Sequence, residues 1–263
     1  MPELAKKLQK LKKILYSYPG AVVAFSGGVD SSLLLKLAKD VLKQKVIAVT
    51  ATSPLYPDSE IKLAEKIASM LKIKHLIIHS DELENPDFIK NPRNRCYHCK
   101  MELFKKLRAV AKKYGYVVLE GSNYTDLNDF RPGFVAAKRL DVRSPLLEAK
   151  LTKTEVRELA KRFKLPNWNK PSMACLASRI PYGQKIDKKI LKRIERGEAF
   201  LRNLNFSQCR VRDYFPIARI EILENEFKKI FINKKKIVRY FNRLGYKYIT
   251  LDLEGYRTGS MNQ

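Results

Sequence analysis

"AVVAFSGGVDSSLLLKLA", residues 21–38, decides how this chain is read. Ala21 to Phe25 form an unbroken apolar run, the pattern of a strand buried on both faces. The run passes into Ser26-Gly27-Gly28-Val29-Asp30-Ser31 and then directly into a helix expected from about Ser31 to Leu42. Two glycines let the backbone turn tightly and come close to an anion. The helix that follows offers unpaired N–H groups and the positive end of its dipole. Ser26, Ser31 and Ser32 can add hydroxyl donors. Asp30 repels a bare phosphate, which leaves it two roles: holding a Mg²⁺ ion or capping the helix. A plain strand-turn-helix with an aspartate cap is the alternative reading. Gly-Gly alone would favour that alternative; the whole string after a buried strand favours an anion loop. The spacing is neither G-x-x-x-x-G-K-[ST] nor G-x-G-x-x-G.

Working outward, short apolar runs alternate with amphipathic helices. "KVIAVT" (45–50) and "KHLIIHS" (74–80) read as strands, with a helix across "DSEIKLAEKIASMLK" between them. "MELFKKLRAVAKKYG" reads as a helix ending at Gly115, and "YVVLEGS" (116–122) as a fourth strand. Alternation of this kind predicts an α/β fold with a Rossmann-like parallel sheet covered by helices on both faces. A further helix lies in "LTKTEVRELAKRFKL", where Thr152 and Glu155 have capping-box spacing. After Gly183 the pattern changes. A helix over about 187–204 precedes "CRVRDYF" and "IARIEIL", which alternate like an antiparallel pair; two short helices and "YKYITLDL" follow. The expected division is therefore a parallel-sheet α/β domain over 1–183 and a smaller α+β domain over 184–263.

Composition narrows the class. The chain has 263 residues, 45% of them hydrophobic, enough for a sizeable core. No apolar run approaches the roughly 20 residues of a membrane span. The first twenty residues are basic but have helical apolar spacing and no continuous apolar segment, so they read as an amphipathic helix. These features predict a cytoplasmic protein without a membrane partner. The 53 Lys and Arg against 27 Asp and Glu leave a net charge of +26. That excess suits phosphorylated partners. Lysines are spread along the whole chain, however, and a lysine-rich proteome accounts for them equally well. A dedicated nucleic-acid surface is thus not the favoured reading.

The Ser26–Ser32 string resembles the PP-loop of the ATP pyrophosphatase superfamily, in which the loop grips the pyrophosphate of ATP and AMP is transferred to a carboxylate or carbonyl oxygen. The resemblance implies ATP and Mg²⁺ as ligands. Downstream, "EGSNYTDLNDFRPG" (120–133) follows the fourth strand. Asp126 and Asp129 would face the crevice at the carboxyl end of the sheet; an Asx-rich turn explains them as well.

Five further stretches narrow the resemblance: "NRCYHCKMELF" (94–104), "GSNYTDLNDFRPG" (121–133), "PSMACLASRIPYG" (171–183), "CRVRDYFPIARIEI" (209–222) and "GYKYITLDLEGYRTGSMN" (245–262). Together they look like the LarE-type ATP-dependent sacrificial sulfur transferases. That resemblance implies a pyridinium biscarboxylic acid mononucleotide as substrate, a precursor of a nickel-pincer nucleotide cofactor. It implies adenylylation of a carboxylate, attack by the thiolate of Cys175, loss of its sulfur as a thiocarboxylate, and a dehydroalanine left in the chain. It also implies an oligomer. A free cysteine titrates near pH ~8.5 and only its thiolate attacks well, so cations are expected around it. Arg179 is four residues on; Arg210 and Arg212 alternate on one strand face. The resemblance sets that pair near the substrate phosphate and the sulfur site, and Glu198 on an acidic position that is either a base or a structural ion-pair partner. The plain alternative for Cys175 is a small core residue.

Cys96 and Cys99 form a C-x-x-C with His98 between them, the spacing of Zn²⁺ and Fe–S sites. Some PP-loop enzymes that thiolate tRNA pair C-x-x-C with a remote third cysteine around an Fe–S cluster, and with Cys175 this chain has the same count. Two incidental thiols at a helix start are the plain alternative. tRNA thiolation, and a nucleotide-binding protein without catalysis, are the competing functions.

Overall fold

The computed structural model describes residues 2–128, 131–171 and 173–257. In chain order the elements are α1 (Pro2–Tyr16), β1 (Ala21–Ala24), α2 (Val29–Leu42), β2 (Val46–Thr52), α3 (Asp58–Met70), β3 (Lys74–His79), α4 (Pro86–Ile89), α5 (Arg95–Tyr114), β4 (Val117–Leu119), α6 (Gly133–Arg139), α7 (Pro145–Glu148), α8 (Lys153–Arg162), α9 (Lys188–Asn203), β5 (Cys209–Tyr214), β6 (Ile217–Ile222), α10 (Phe227–Arg243) and β7 (Tyr248–Leu251). They fall into two compact units, residues 1–85 with 94–173, and residues 86–93 with 174–263. The sequence expectation drew its border at Gly183; the Cys175 loop thus belongs with the second unit.

The first unit carries a four-stranded parallel sheet of order β3-β2-β1-β4. Successive strand residues point to opposite faces, and both faces are covered. Ala21, Val23 and Ala48 pack with Leu33, Leu37 and Leu159 in one cluster; Val22, Ile47, Val49 and Val118 pack with Phe104 and Leu107 in another. That double burial is why these strands show no polar alternation. Thr152 and Glu155 form the expected capping box at the start of α8.

Two boundaries differ from expectation. β4 has three residues rather than seven. Beyond it the buried Glu120 carboxylate accepts from the Ser122 amide (3.1 Å) and hydroxyl (2.8 Å) and from the Ser144 hydroxyl, which folds the chain away from the sheet. α5 begins at Arg95, six residues before Met101, so both cysteines of the C-x-x-C lie inside a helix.

The second unit has a three-stranded sheet, β5-β6-β7, in which β5 and β6 are antiparallel and β6 and β7 parallel. Cys209, Val211, Ile220 and Ile222 face a core with Leu201, Ile237 and Phe241. Instead of two short helices after β6, a turn at Glu224–Glu226 leads into the single 17-residue α10. Asn233 is accommodated mid-helix because its side-chain amide donates to the Lys229 carbonyl at 2.9 Å.

Candidate functional site

The loop after β1 is shaped by glycine and fixed by small polar groups. Gly27 has φ +70°, and a Cβ there would lie 3.2 Å from the Ala64 backbone nitrogen. A side chain is excluded both by conformation and by space. Gly28 is the N-cap of α2, so Asp30 sits within the first turn and does not cap it. The Ser31 hydroxyl donates to the Gly28 carbonyl (3.1 Å) and lies 3.3 Å from the Ser26 hydroxyl, which accepts from the Gly28 amide at 3.3 Å. Ser32 is fully buried; its hydroxyl accepts from the Asn167 amide (2.9 Å), which also donates to the Gly27 carbonyl (2.8 Å). The loop is held open by contacts on its protein side, and its other side presents amides at the head of a 14-residue helix. An anion is the natural occupant of such a cradle.

The Asp30 carboxylate is engaged. One oxygen pairs with the Lys153 ammonium, and the other accepts from the Asn123 amide at 3.2 Å. Asp126 accepts from the Asn123 backbone and side chain, both at 3.0 Å, and pairs with Arg131 at 2.7 Å. Burial pushes the Asp126 carboxyl above the usual carboxylate range, against the opposing pull of the Asn123 amide and Arg131. Gly121 brings this loop against α2: a Cβ on it would lie 3.0 Å from the Ser31 nitrogen. Asp129 lies outside the described residues.

In the second unit Cys175 is half-exposed and opens a 3-10 turn, Leu176–Arg179. Its carbonyl accepts from the Ser178 amide (3.0 Å), the Ser178 hydroxyl (2.8 Å) and the Arg179 guanidinium (2.9 Å). Arg179 also donates to the Ala174 carbonyl at 2.6 Å. Its other nitrogens make a two-point pair with Glu198 at 2.8 and 3.1 Å. Arg179 and Glu198 are both 0% exposed, so neither meets solvent. Burial alone would raise the Glu198 carboxyl, but Arg179, Arg210 and the Val211 amide together reverse it and the net shift is downward. Burial likewise lowers Arg179, and Glu198 reverses the sign. Of the two roles open for Glu198, the geometry is that of an ion-pair partner.

Arg210 and Arg212 share one face of β5, and the register sets Glu221 and Arg219 of β6 opposite them on that same face. Arg212 makes a two-point pair with Glu221, both at 2.8 Å, and donates to the Ser178 carbonyl at 2.8 Å. The strand is thereby tied to the cysteine turn. Arg210 stacks over the Tyr256 ring, 5.1 Å from its centre. Burial first, and Arg179 second, pull its guanidinium below the usual value. Arg210, Arg212 and Arg219 share this face with Glu221, which pairs with Arg212 and Arg219. Cys209 points the other way into the core, where burial, and after it Glu198, push its thiol up to about 12. That places it outside any thiolate chemistry at neutral pH.

Cys96 is exposed near the start of α5, and Cys99 is half-buried, its thiol 3.7 Å from a Glu82 oxygen. Among the described residues no three His, Cys, Asp or Glu side chains gather in a set that suits a metal ion. No helix among them is long and apolar enough to cross a membrane.

Five contributors were not expected from sequence: Asn123, Asn167, Lys153, Ser178 and Glu221. Glu221 had a signal, since alternation along the β5–β6 hairpin puts it opposite Arg210. Asn167 had none; it reaches the loop from 140 residues away.

The NAD synthase family model matches residues 4–193, a span that contains both the glycine loop and Cys175. A pyridinium-3,5-bisthiocarboxylic acid mononucleotide synthase of Lactiplantibacillus plantarum is 37% identical over 264 aligned residues, covering 100% of this chain and 96% of that protein. An uncharacterized protein of Synechocystis sp. is 41% identical over 263 residues, 99% of this chain and 98% of the relative. The argininosuccinate synthase of Pyrococcus furiosus is 29% identical over 160 residues, 55% of this chain and 39% of that enzyme.

Proposed function

The chain belongs to the NAD synthase family of PP-loop enzymes, in its LarE-type, sulfur-inserting branch, and on that premise we propose that Cys175 is itself the sulfur donor to a pyridinium dicarboxylate mononucleotide. The enzyme is a sulfurtransferase that uses ATP. The observation that carries the reading is the seat of Cys175: the residue is partly exposed while its carbonyl is gripped by Ser178 and Arg179, on a turn tied to an arginine-rich strand.

In the proposed sequence a substrate carboxylate attacks the α-phosphorus of ATP, and pyrophosphate leaves. The backbone amides after Gly27, with Ser26 and Ser31, hold the departing phosphates. The Cys175 thiolate then attacks the acyl carbon; the C–O bond to AMP breaks and a thioester joins substrate to enzyme. Removal of the Cys175 Cα proton drives the electron pair into a Cα=Cβ bond. The Cβ–S bond breaks, and sulfur departs as the substrate's thiocarboxylate. Arg210 and Arg212 would bind the mononucleotide phosphate, with charge-assisted hydrogen bonds. Arg179 and Glu198, sealed from solvent, act as positioning residues for the cysteine turn.

Mg²⁺, when bound, would neutralise phosphate charge. Asp30 already accepts from Lys153 and Asn123, so a Mg²⁺ ion held there would compete with the Lys153 ammonium. Oxygen donors are the right type, but the phosphates themselves would supply most of them. The test is a single-turnover reaction with ATP and the dicarboxylate nucleotide. Wild-type enzyme is expected to form AMP, pyrophosphate and at most one thiocarboxylate per chain. Cys175→Ala is expected to release pyrophosphate and form no thiocarboxylate; product from that variant would overturn the reading.

A further inference from the structure

Arg179 holds the start of the cysteine turn; its far end is held by a residue that the sulfur chemistry does not use. Residues 86–93 group with the second unit, although the chain on either side of them belongs to the first. They contain the short helix α4 and Asn91, which is 0% exposed and has φ +54°. Asparagine is one of the few residues besides glycine that adopt this left-handed conformation readily.

The Asn91 side-chain amide donates to the Ile180 carbonyl at 3.3 Å and to the Pro181 carbonyl at 2.8 Å. Its backbone carbonyl accepts from the Gly183 amide at 3.0 Å, and the Ile89 carbonyl accepts from the Ile186 amide at 2.9 Å. The Ile180 amide turns back to the Ala177 carbonyl at 3.1 Å, which closes the 3-10 turn. Ile180 is fully buried, and neither it nor Pro181 lies in a strand. Carbonyls buried in irregular chain need a donor from elsewhere. The segment is therefore gripped at both ends in the same manner. At its start the Arg179 guanidinium spans the carbonyls of Ala174 and Cys175; at its end the Asn91 amide spans those of Ile180 and Pro181.

We propose that Asn91 is a positioning residue for sulfur transfer: it fixes the exit of the Cys175 turn, and with it the place of the thiol. The proposal rests on the reading of Cys175 as sulfur donor. Capture of an activated acyl group is sensitive to placement, and a misfit of about 1 Å can cost on the order of 10²-fold in rate. Adenylylation draws on the glycine loop and not on this contact, so the two half-reactions should respond differently to the loss of one amide.

Asn91→Gly keeps the left-handed backbone and removes only the side chain. Two readouts are taken on the full-length protein. Hydrogen exchange without ATP or substrate should quicken about tenfold over residues 176–186, the scale of one lost buried hydrogen bond, and stay unchanged over 21–50. In a single turnover with ATP, Mg²⁺ and the dicarboxylate nucleotide, pyrophosphate release should keep its wild-type rate while thiocarboxylate formation falls on the order of 10²-fold. Asn91→Asp tolerates the same backbone conformation but offers only acceptors to the two carbonyls, so it should show the same split. It keeps the test decisive if the glycine variant does not fold. An equal loss of both half-reactions would reduce Asn91 to a folding role and overturn the proposal, as would wild-type exchange over 176–186. Cys175→Ala is run beside these variants. Thiocarboxylate from it would sink the donor reading, while the exchange data would still decide whether Asn91 holds the turn.

Discussion

The glycine loop of the first unit and the cysteine turn of the second are built by opposite means. The loop is positioned by backbone conformation and neutral hydrogen bonds: a left-handed Gly27, a Ser31 hydroxyl on the Gly28 carbonyl, an Asn167 amide from below. The turn is positioned by charge sealed from water, with Arg179 on Glu198 and Arg212 on Glu221. The loop is shaped to receive an anion, and its backbone donors carry no counter-charge of their own. The turn is held rigidly, as the proposed role of Cys175 as sulfur donor requires. Backbone cradles tolerate conservative side-chain changes; buried ion pairs do not, because removing one partner strands the other.

That contrast can be broken from either side. The largest expected effect is chemical: Cys175→Ser, nearly isosteric, should reduce thiocarboxylate formation to background while pyrophosphate release from ATP and substrate persists. Next comes the buried pair. Glu198→Ala leaves the Arg179 guanidinium uncompensated and should cost about 3–5 kcal/mol in urea unfolding of the second unit. A loss below about 1 kcal/mol would mean that the pair is not what holds the turn. In the first unit Gly27→Ala meets a left-handed φ and the Ala64 backbone together. It should cost about 1–3 kcal/mol and weaken ATP binding roughly tenfold, read by nucleotide titration.

A gentler probe is pH. The Glu198 carboxyl is held below its ordinary value of 4.5 in the folded chain. Its contribution is therefore complete above that ordinary value and is lost as pH falls through the lowered one. Wild-type unfolding free energy should fall more steeply on acidification than that of Glu198→Gln, and parallel curves would contradict the assignment. The smallest effect belongs to Lys153→Met, which removes a partly exposed partner of Asp30. It should change stability by about 1 kcal/mol or less.

Much of the fold was legible because its determinants are local. A doubly buried strand, a Gly-Gly turn and a helix start lie within eighteen consecutive residues. The capping box at Thr152 and Glu155 needs only four. The Arg210–Arg212 face followed from strand alternation alone. The site's supports were not legible in the same way. Asn167 and Gly27, 140 residues apart, meet only in the folded chain, and no short pattern records that. Glu198 was readable as an acidic position but not as the bidentate partner of an arginine nineteen residues earlier. The start of α5 was missed because "RCYHC" looks like a ligand motif before it looks like a helical turn. Asp30 was offered a cap or a metal, and the structure gives it a lysine supplied from 123 residues downstream.

The account depends on one thiol being consumed, and intact-protein mass before and after a single turnover with ATP, Mg²⁺ and the dicarboxylate nucleotide measures that directly. The mass of the wild-type chain is expected to fall by one H₂S, with the loss mapped to Cys175, and that of Cys175→Ala to stay constant. An unchanged wild-type mass after many thiocarboxylates have been made from added sulfide would contradict it.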